Sequence, residues 1–193
     1  TGFHRYYNVV DVALKATLDD GKTSGISDIQ QTLREAVRKR LMSDVPLGVF
    51  LSGGLDSSII AGLVTEIVPE VHSFAVGYAE DSEDIRYARK VAAHIGTTHH
   101  EYLYTTEEMI EALPDVIYYL ESYDPSLVRS AIPNYFLARL ARQHVTVVLS
   151  GEGADELYAG YEYYKGFDDA DALHKELANA TDTLYSCNLL RCD

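Results

Sequence analysis

A chain of 193 residues with 47% apolar and 24% charged residues suits one ordinary globular domain, and excludes a disordered tail, a collagen-like repeat and a disulfide scaffold. Its net charge of −14 argues against nucleic-acid binding, which needs a basic stripe. No apolar run reaches the ~20 residues that cross a bilayer, and the opening TGFHRYYNVV lacks the zones of a secretion signal, so no membrane partner is expected.

Residues 1–25 read as an irregular arm or linker that includes DDGKTSG, and residues 26–193 as a folded domain. Ser27 caps a first helix with Gln30 three residues on, the spacing of a capping box. Ile29, Leu33, Val37 and Leu41 share one face of it, opposite a basic face, and Asp44 and Pro46 end it. In PLGVFLSGG, Val49, Phe50 and Leu51 form the continuous apolar run of a strand covered on both faces. SGGLDSS follows, then the helical stretch SSIIAGLVTEIV. VHSFAVGY (71–78) is a second strand, and a helix from Ser82 to Ile95 ends at Gly96. TTHHEYLY (97–104) is a third strand, Thr105 and Glu108 cap the next helix, and SYDPSLVRS (122–130) is a loop. Residues 131–142 are helical with Pro133 in the first turn. HVTVVLS (144–150) is a fourth buried strand, GEGADELYAGY follows, and a last helix starts near Ala170.

Cys187 and Cys192 lie five apart in that last helix and face away from each other, so no internal disulfide is expected and a reducing, cytoplasmic setting fits. His99 and His100 fall in one strand with their rings on opposite faces, and no histidine stands at zinc-ligand spacing, so the histidines read as structural. Residues 151–193 carry ten acidic against three basic groups, a net of −7, which reads as a solvated face or an adaptation to salt.

Alternating strands and helices predict an α/β fold: a doubly wound parallel sheet, order 3-2-1-4, with helices on both faces. Such sheets bind ligands beyond the carboxyl ends of their strands, where the order reverses. That point falls between strands 1 and 4, and the loops after them are SGGLDSS and SGEGADE. Gly53 and Gly54 let backbone approach a ligand closely. Ser57 and Ser58 open a helix whose free N–H groups and dipole favour an anion. No GxxxxGK[ST] or GxGxxG occurs, so this is neither a Walker nor a dinucleotide loop. A carboxylate among phosphates needs a bridging cation, which makes Asp56 and Asp155 candidate Mg²⁺ ligands; Asp155 also suits a helix N-cap. Glu152 or Glu156 could serve as a general base, or simply face solvent.

SGGLDSS resembles the pyrophosphate loop of the ATP pyrophosphatases, which split ATP to AMP and pyrophosphate. Together with FAVGY (74–78), ARKVAAHIGTTHHE (88–101), IYYLESYDPSLVRS (117–130) and VVLSGEGADELYAGYEYY (147–164), it resembles the synthetase domain of the glutamine-dependent asparagine synthetases, over nearly all of the chain from about residue 30. The resemblance implies an adenine nucleotide alpha hydrolase-like fold and a ligase using ATP and Mg²⁺. On it, Ser52, Gly53, Gly54, Asp56, Ser57 and Ser58 hold pyrophosphate and metal, with Asp155 completing that end. Phe50 or Leu51, with Val76 and Gly77, line adenine and ribose, and Ser150 and Gly151 contact the AMP portion. Glu152 accepts a proton from ammonia. Arg129 pairs with a carboxylate of aspartate, or else makes a surface ion pair, and Tyr161 is a weaker candidate for that pocket.

The implied reaction joins aspartate and ammonia through β-aspartyl-AMP. The stretch does not include the family's amino-terminal glutaminase domain, and family members continue past NLLRCD, so the chain is expected to be a fragment that is truncated at its C-terminus. Ammonia is then expected from a glutaminase domain of the full-length protein, and a homodimer is compatible with the resemblance. YAEDSEDI (78–85) departs from the family's common Pro-containing version, at the ribose edge. A β-lactam-forming synthetase and a non-catalytic ATP-binding module of the same sheet type are the competing readings.

Overall fold

The computed structural model describes residues 25–78 and 82–184. The expected arm, but for Gly25, and the Cys187–Cys192 pair lie outside the described residues. The chain divides into two compact units, one ending at Arg40 and the other beginning at Leu41.

The described part of the first unit is helix α1 (Ile26–Arg40). Its start is held by Gly25 and Asp28 rather than by the expected Ser27–Gln30 pair. The Gly25 carbonyl accepts from Asp28 N–H at 2.9 Å, and the Asp28 carboxylate accepts from Gly25 N–H at 3.1 Å. The first helical bond therefore closes two residues earlier, and the short Asp28 side chain takes the reciprocal position. Val37 is buried, whereas Ile29 is exposed.

The second unit is built on a parallel sheet of β1 (Leu47–Phe50), β2 (His72–Gly77), β3 (Thr98–Leu103) and β4 (Val147–Leu149), in the expected order β3-β2-β1-β4. The register sets Val49 beside Ser73 and Leu149, and Phe74 beside His100. Helix α2 (Leu55–Thr65) crosses from β1 to β2, and α3 (Glu83–Ile95) from β2 to β3. These two pack together on one face, where the small side chains of Ala61, Ala88 and Ala92 and the fully buried Ile85 allow close approach. Helices α4 (Thr106–Leu120) and α5 (Pro125–Ala141) return the chain to β4 along the other face. There Val116, Val128, Ile132 and Phe136 form one cluster, while Phe74, Ala141 and Val145 form a second. The chain continues through α6 (Ala154–Tyr158), a 3-10 turn (Glu162–Gly166) and α7 (Ala170–Leu184).

Several boundaries follow local chemistry that the sequence displays. Ser82 caps α3 by accepting from Ile85 N–H, and Gly96 ends it at φ 75°. Thr105 and Glu108 close the expected capping box on α4. The loop expected over 122–130 is instead largely helical. Asp124 accepts from the N–H groups of Ser126 and Leu127 at 2.8 and 3.0 Å, and Pro125 takes the first helical position, where its missing N–H costs nothing. Pro133 accordingly sits inside α5 instead of in its first turn.

His99 and His100 do point to opposite faces. His99 Nδ1 lies 2.8 Å from the hydroxyl of the buried Ser73. Its Nε2 is 3.1 Å from Glu101 but out of line for a hydrogen bond, so that contact is electrostatic only. Burial holds this imidazole below its usual pKa, partly offset by Glu101.

Candidate functional site

The reversal of strand order falls between β1 and β4, and there the sheet opens into a cleft of about 630 Å³. That volume lies within the range of small-molecule sites. The two strand-tip loops that form its floor are in contact. A Cβ built on Gly151 would stand 2.7 Å from both the Asp56 carbonyl carbon and the Ser57 nitrogen. Only a glycine after β4 lets the backbone lie this close to the start of α2.

From the first loop, Phe50, Leu51, Ser52, Gly54, Asp56 and Ser57 line the cleft. Ser52 and Ser57 hydroxyls meet at 3.0 Å, and Ser57 and Ser58 both donate to the Gly54 carbonyl. No side chain caps α2, so the N–H groups of Asp56 and Ser57 in its first turn, two residues that line the cleft, are available to an anion. From the second loop come Ser150, Gly151, Glu152, Gly153, Ala154, Asp155 and Glu156. Val76 lines it from β2, and Asp56 and Asp155 are each half-buried.

Ser58, Gly53, Gly77, Arg129 and Tyr161 are not among the lining residues. Gly53 has φ +81°, and a Cβ there would stand 2.4 Å from the Tyr87 carbonyl carbon, so its missing side chain admits α3. Gly77 likewise admits Ile85. Arg129 is exposed on α5, four residues before Pro133 and therefore one turn along the same helical face. Pro133, Asn134 and Leu137 on that helix do line the cleft. They escaped sequence reading because a covering helix carries no loop signature. Asp84 was also missed, although an acidic residue just after the cap Ser82 at the tip of β2 was a usable signal.

Tyr161 reaches the rim indirectly by donating its hydroxyl hydrogen bond to Glu156. That bond, with lesser effects of burial and the neighbouring carboxylates, pushes the phenol up to about 12, and it draws the Glu156 carboxyl below its ordinary range. The depressed Glu156 makes its contribution above its unfolded pKa and loses it as pH falls through the folded value. The raised Tyr161 loses its contribution as pH rises toward 12. In Tyr161→Phe, an NMR titration is expected to show the Glu156 midpoint rising toward an ordinary carboxylate; an unmoved midpoint would show that the bond is absent in solution.

Five carboxyl side chains line this cleft, namely Asp56, Asp84, Glu152, Asp155 and Glu156, and no lysine, arginine or histidine is among the lining residues described. Such a donor set repels a bare polyphosphate. It suits a hard, oxygen-seeking divalent cation, and Mg²⁺ joins one or two carboxylates to phosphate oxygens. The residues present therefore fit the metal that the sequence predicts.

The family model described as "Asparagine synthase" matches residues 28–193. A probable glutamine-hydrolysing asparagine synthetase of Dictyostelium discoideum is 42% identical over 180 residues, covering 86% of this chain and 32% of that protein. Asparagine synthetase B of Escherichia coli is 38% identical over 182 residues, covering 86% and 33%. The chain thus spans about a third of the length of the curated relatives it matches. The NH3-dependent NAD synthetase of Campylobacter jejuni shares the fold, with a TM-score of 0.51 at 15% identity over 86% of this chain and 87% of that one. Among the described residues, no helix is long and apolar enough to cross a membrane.

Proposed function

This chain belongs to the asparagine synthase family, and on that premise we propose that residues 26–193 carry the ATP-dependent step of a glutamine-hydrolysing asparagine synthetase. The observation that supports this reading best is the contact between the β1 and β4 tips, which joins an uncapped helix start to a cleft lined with acids. The side-chain carboxylate of aspartate attacks the α-phosphorus of ATP. The bond from that phosphorus to the bridging oxygen breaks, giving β-aspartyl-AMP and pyrophosphate. Ammonia then adds to the acyl carbon, loses a proton to Glu152, and AMP leaves.

In this reading Ser52, Ser57 and the backbone around Gly53, Gly54 and Ser58 hold the pyrophosphate portion, and Asp56 and Asp155 hold Mg²⁺. Bound there, the metal offsets charge on the departing pyrophosphate. Phe50, Leu51 and Val76, with Gly77 at the end of β2, flank adenine and ribose. Ser150 and Gly151 meet the AMP portion. Phe50, Leu51, Val76 and Leu137 supply the apolar part of the lining, where water would otherwise hydrolyse the adenylate. Arg129, one turn before the cleft-lining Pro133 on α5, takes the α-carboxylate side of aspartate, and Tyr161 orients Glu156. Ammonia comes from a glutaminase domain of the longer protein, and a cytoplasmic, dimeric enzyme goes with the reading.

With full-length protein, Mg-ATP and ammonium, pyrophosphate release is expected with aspartate and only background release with glutamate or no amino acid. Equal release in all three would remove the aspartate assignment. Nucleotide binding with no release would leave a binding module.

A further inference from the structure

Three histidines far apart in sequence meet on the α5 face of the sheet. His72 opens β2, His100 lies within β3, and His144 sits in the turn between α5 and β4. One ring nitrogen of each lies within 4.8 Å of the other two. His72 Nδ1 and His100 Nε2 are 2.9 Å apart and share a hydrogen bond, and the His100 and His144 rings stack with centroids 3.8 Å apart. Phe74 underlies the group at 5.2 Å from His100. The cluster has room because a Cβ on Gly48 of β1 would strike both the Phe74 ring and the His72 carbonyl at 2.7 Å. None of the three histidines lines the acidic cleft.

We propose that His72, His100 and His144 form a second metal site, one that takes a divalent transition-metal ion of the Zn²⁺ class. Three observations carry it. Three imidazoles without a carboxylate are a nitrogen donor set, which favours Zn²⁺, Ni²⁺, Co²⁺ or Cu²⁺ over Mg²⁺. The three rings already converge, with one nitrogen of each within 4.8 Å of the other two, so a single ion can reach all of them after a small movement. His144 follows the last turn of the 17-residue α5, where the helix dipole favours a cation.

Zn–N bonds of ~2.0–2.1 Å in tetrahedral geometry bring ligand nitrogens to about 3.3 Å from each other. The 2.9 Å pair already lies near that spacing. The exposed His144 must swing out of its stack on His100 to close the set, leaving a fourth position for water. Binding would break the hydrogen bond between His72 and His100, the donor ring carrying its proton on its other nitrogen instead so that both neutral rings offer a lone pair, and would tie β2, β3 and the α5–β4 turn together. Chemistry then sorts two metals: Mg²⁺ to the oxygen-lined cleft, and the transition metal to this nitrogen cluster.

The test is a ZnCl₂ titration of untagged protein carrying Cys187→Ser and Cys192→Ser, so that thiolates cannot contribute. One equivalent is expected to bind with a Kd of about 10 µM or tighter and to raise Tm, with no competition from millimolar Mg²⁺. Bound Co²⁺ is expected to give the visible absorption of a four- or five-coordinate imidazole site. His144→Gln, at an exposed position, keeps the metal-free Tm and weakens binding at least ~10-fold, whereas His174→Gln changes neither. Absence of binding at 100 µM ZnCl₂, about ten times that Kd, or affinity unchanged in both His144→Gln and His100→Asn, would overturn the proposal.

Discussion

Asp56→Asn is expected to lower aspartate-dependent pyrophosphate release by ~10³-fold or more, since a lost metal ligand withdraws several kcal/mol of transition-state stabilisation. The substitution is isosteric and the position half-buried, at the first turn of α2. The fold should therefore survive, with a loss of at most about 1 kcal/mol from the weaker helix-dipole interaction. Raising Mg²⁺ should recover part of the activity, a response that a merely structural role for Asp56 would not give. Steady-state kinetics over a Mg²⁺ series checks this, and turnover equal to wild type would show that Asp56 holds no metal.

Gly53→Ala is expected to destabilise the protein by about 2–4 kcal/mol, combining left-handed backbone strain with a clash against backbone. The added Cβ would meet Tyr87 and Ala88 main-chain atoms at 2.4–2.5 Å, which a rotamer change cannot relieve. For a chain of this length the shift amounts to roughly 5–15 °C in Tm. Gly54→Ala should leave Tm nearly unchanged. Its φ of −68° suits any residue, and its nearest neighbour would be the Ser52 hydroxyl at 3.4 Å. Thermal unfolding of the two variants side by side checks the contrast, and equal losses would contradict it. Adjacent glycines in one motif thus serve different ends: Gly53 admits helix α3, and Gly54 lines the cleft.

That difference marks the boundary of what the sequence displays. The apolar runs around Val49, Phe74 and Val148, and the caps at Ser82, Gly96 and Thr105, made the order of elements and the strand order legible, because each depends on neighbours in the chain. The placement of the two loop motifs after β1 and β4 made the cleft legible too. Asp124–Pro125 suits a helix start as well as the loop expected over 122–130, since an Asp-Pro pair opens either. Residues supplied by a covering helix, such as Asn134 and Leu137, carry no local mark. The histidine cluster is set by the parallel register that pairs Phe74 with His100 and by the turn before β4, neither of which a spacing along the chain reveals.

The central claim is that the tips of β1 and β4 hold one metal–triphosphate unit between them. Paramagnetic broadening by Mn²⁺·ATP in ¹H–¹⁵N spectra tests it most directly. Amide signals from residues 52–58 and 150–156 should vanish together at low Mn²⁺ occupancy, while those of α4 persist, and the loss should require ATP. Broadening confined to one of the two loops, or centred elsewhere on the sheet, would contradict the account.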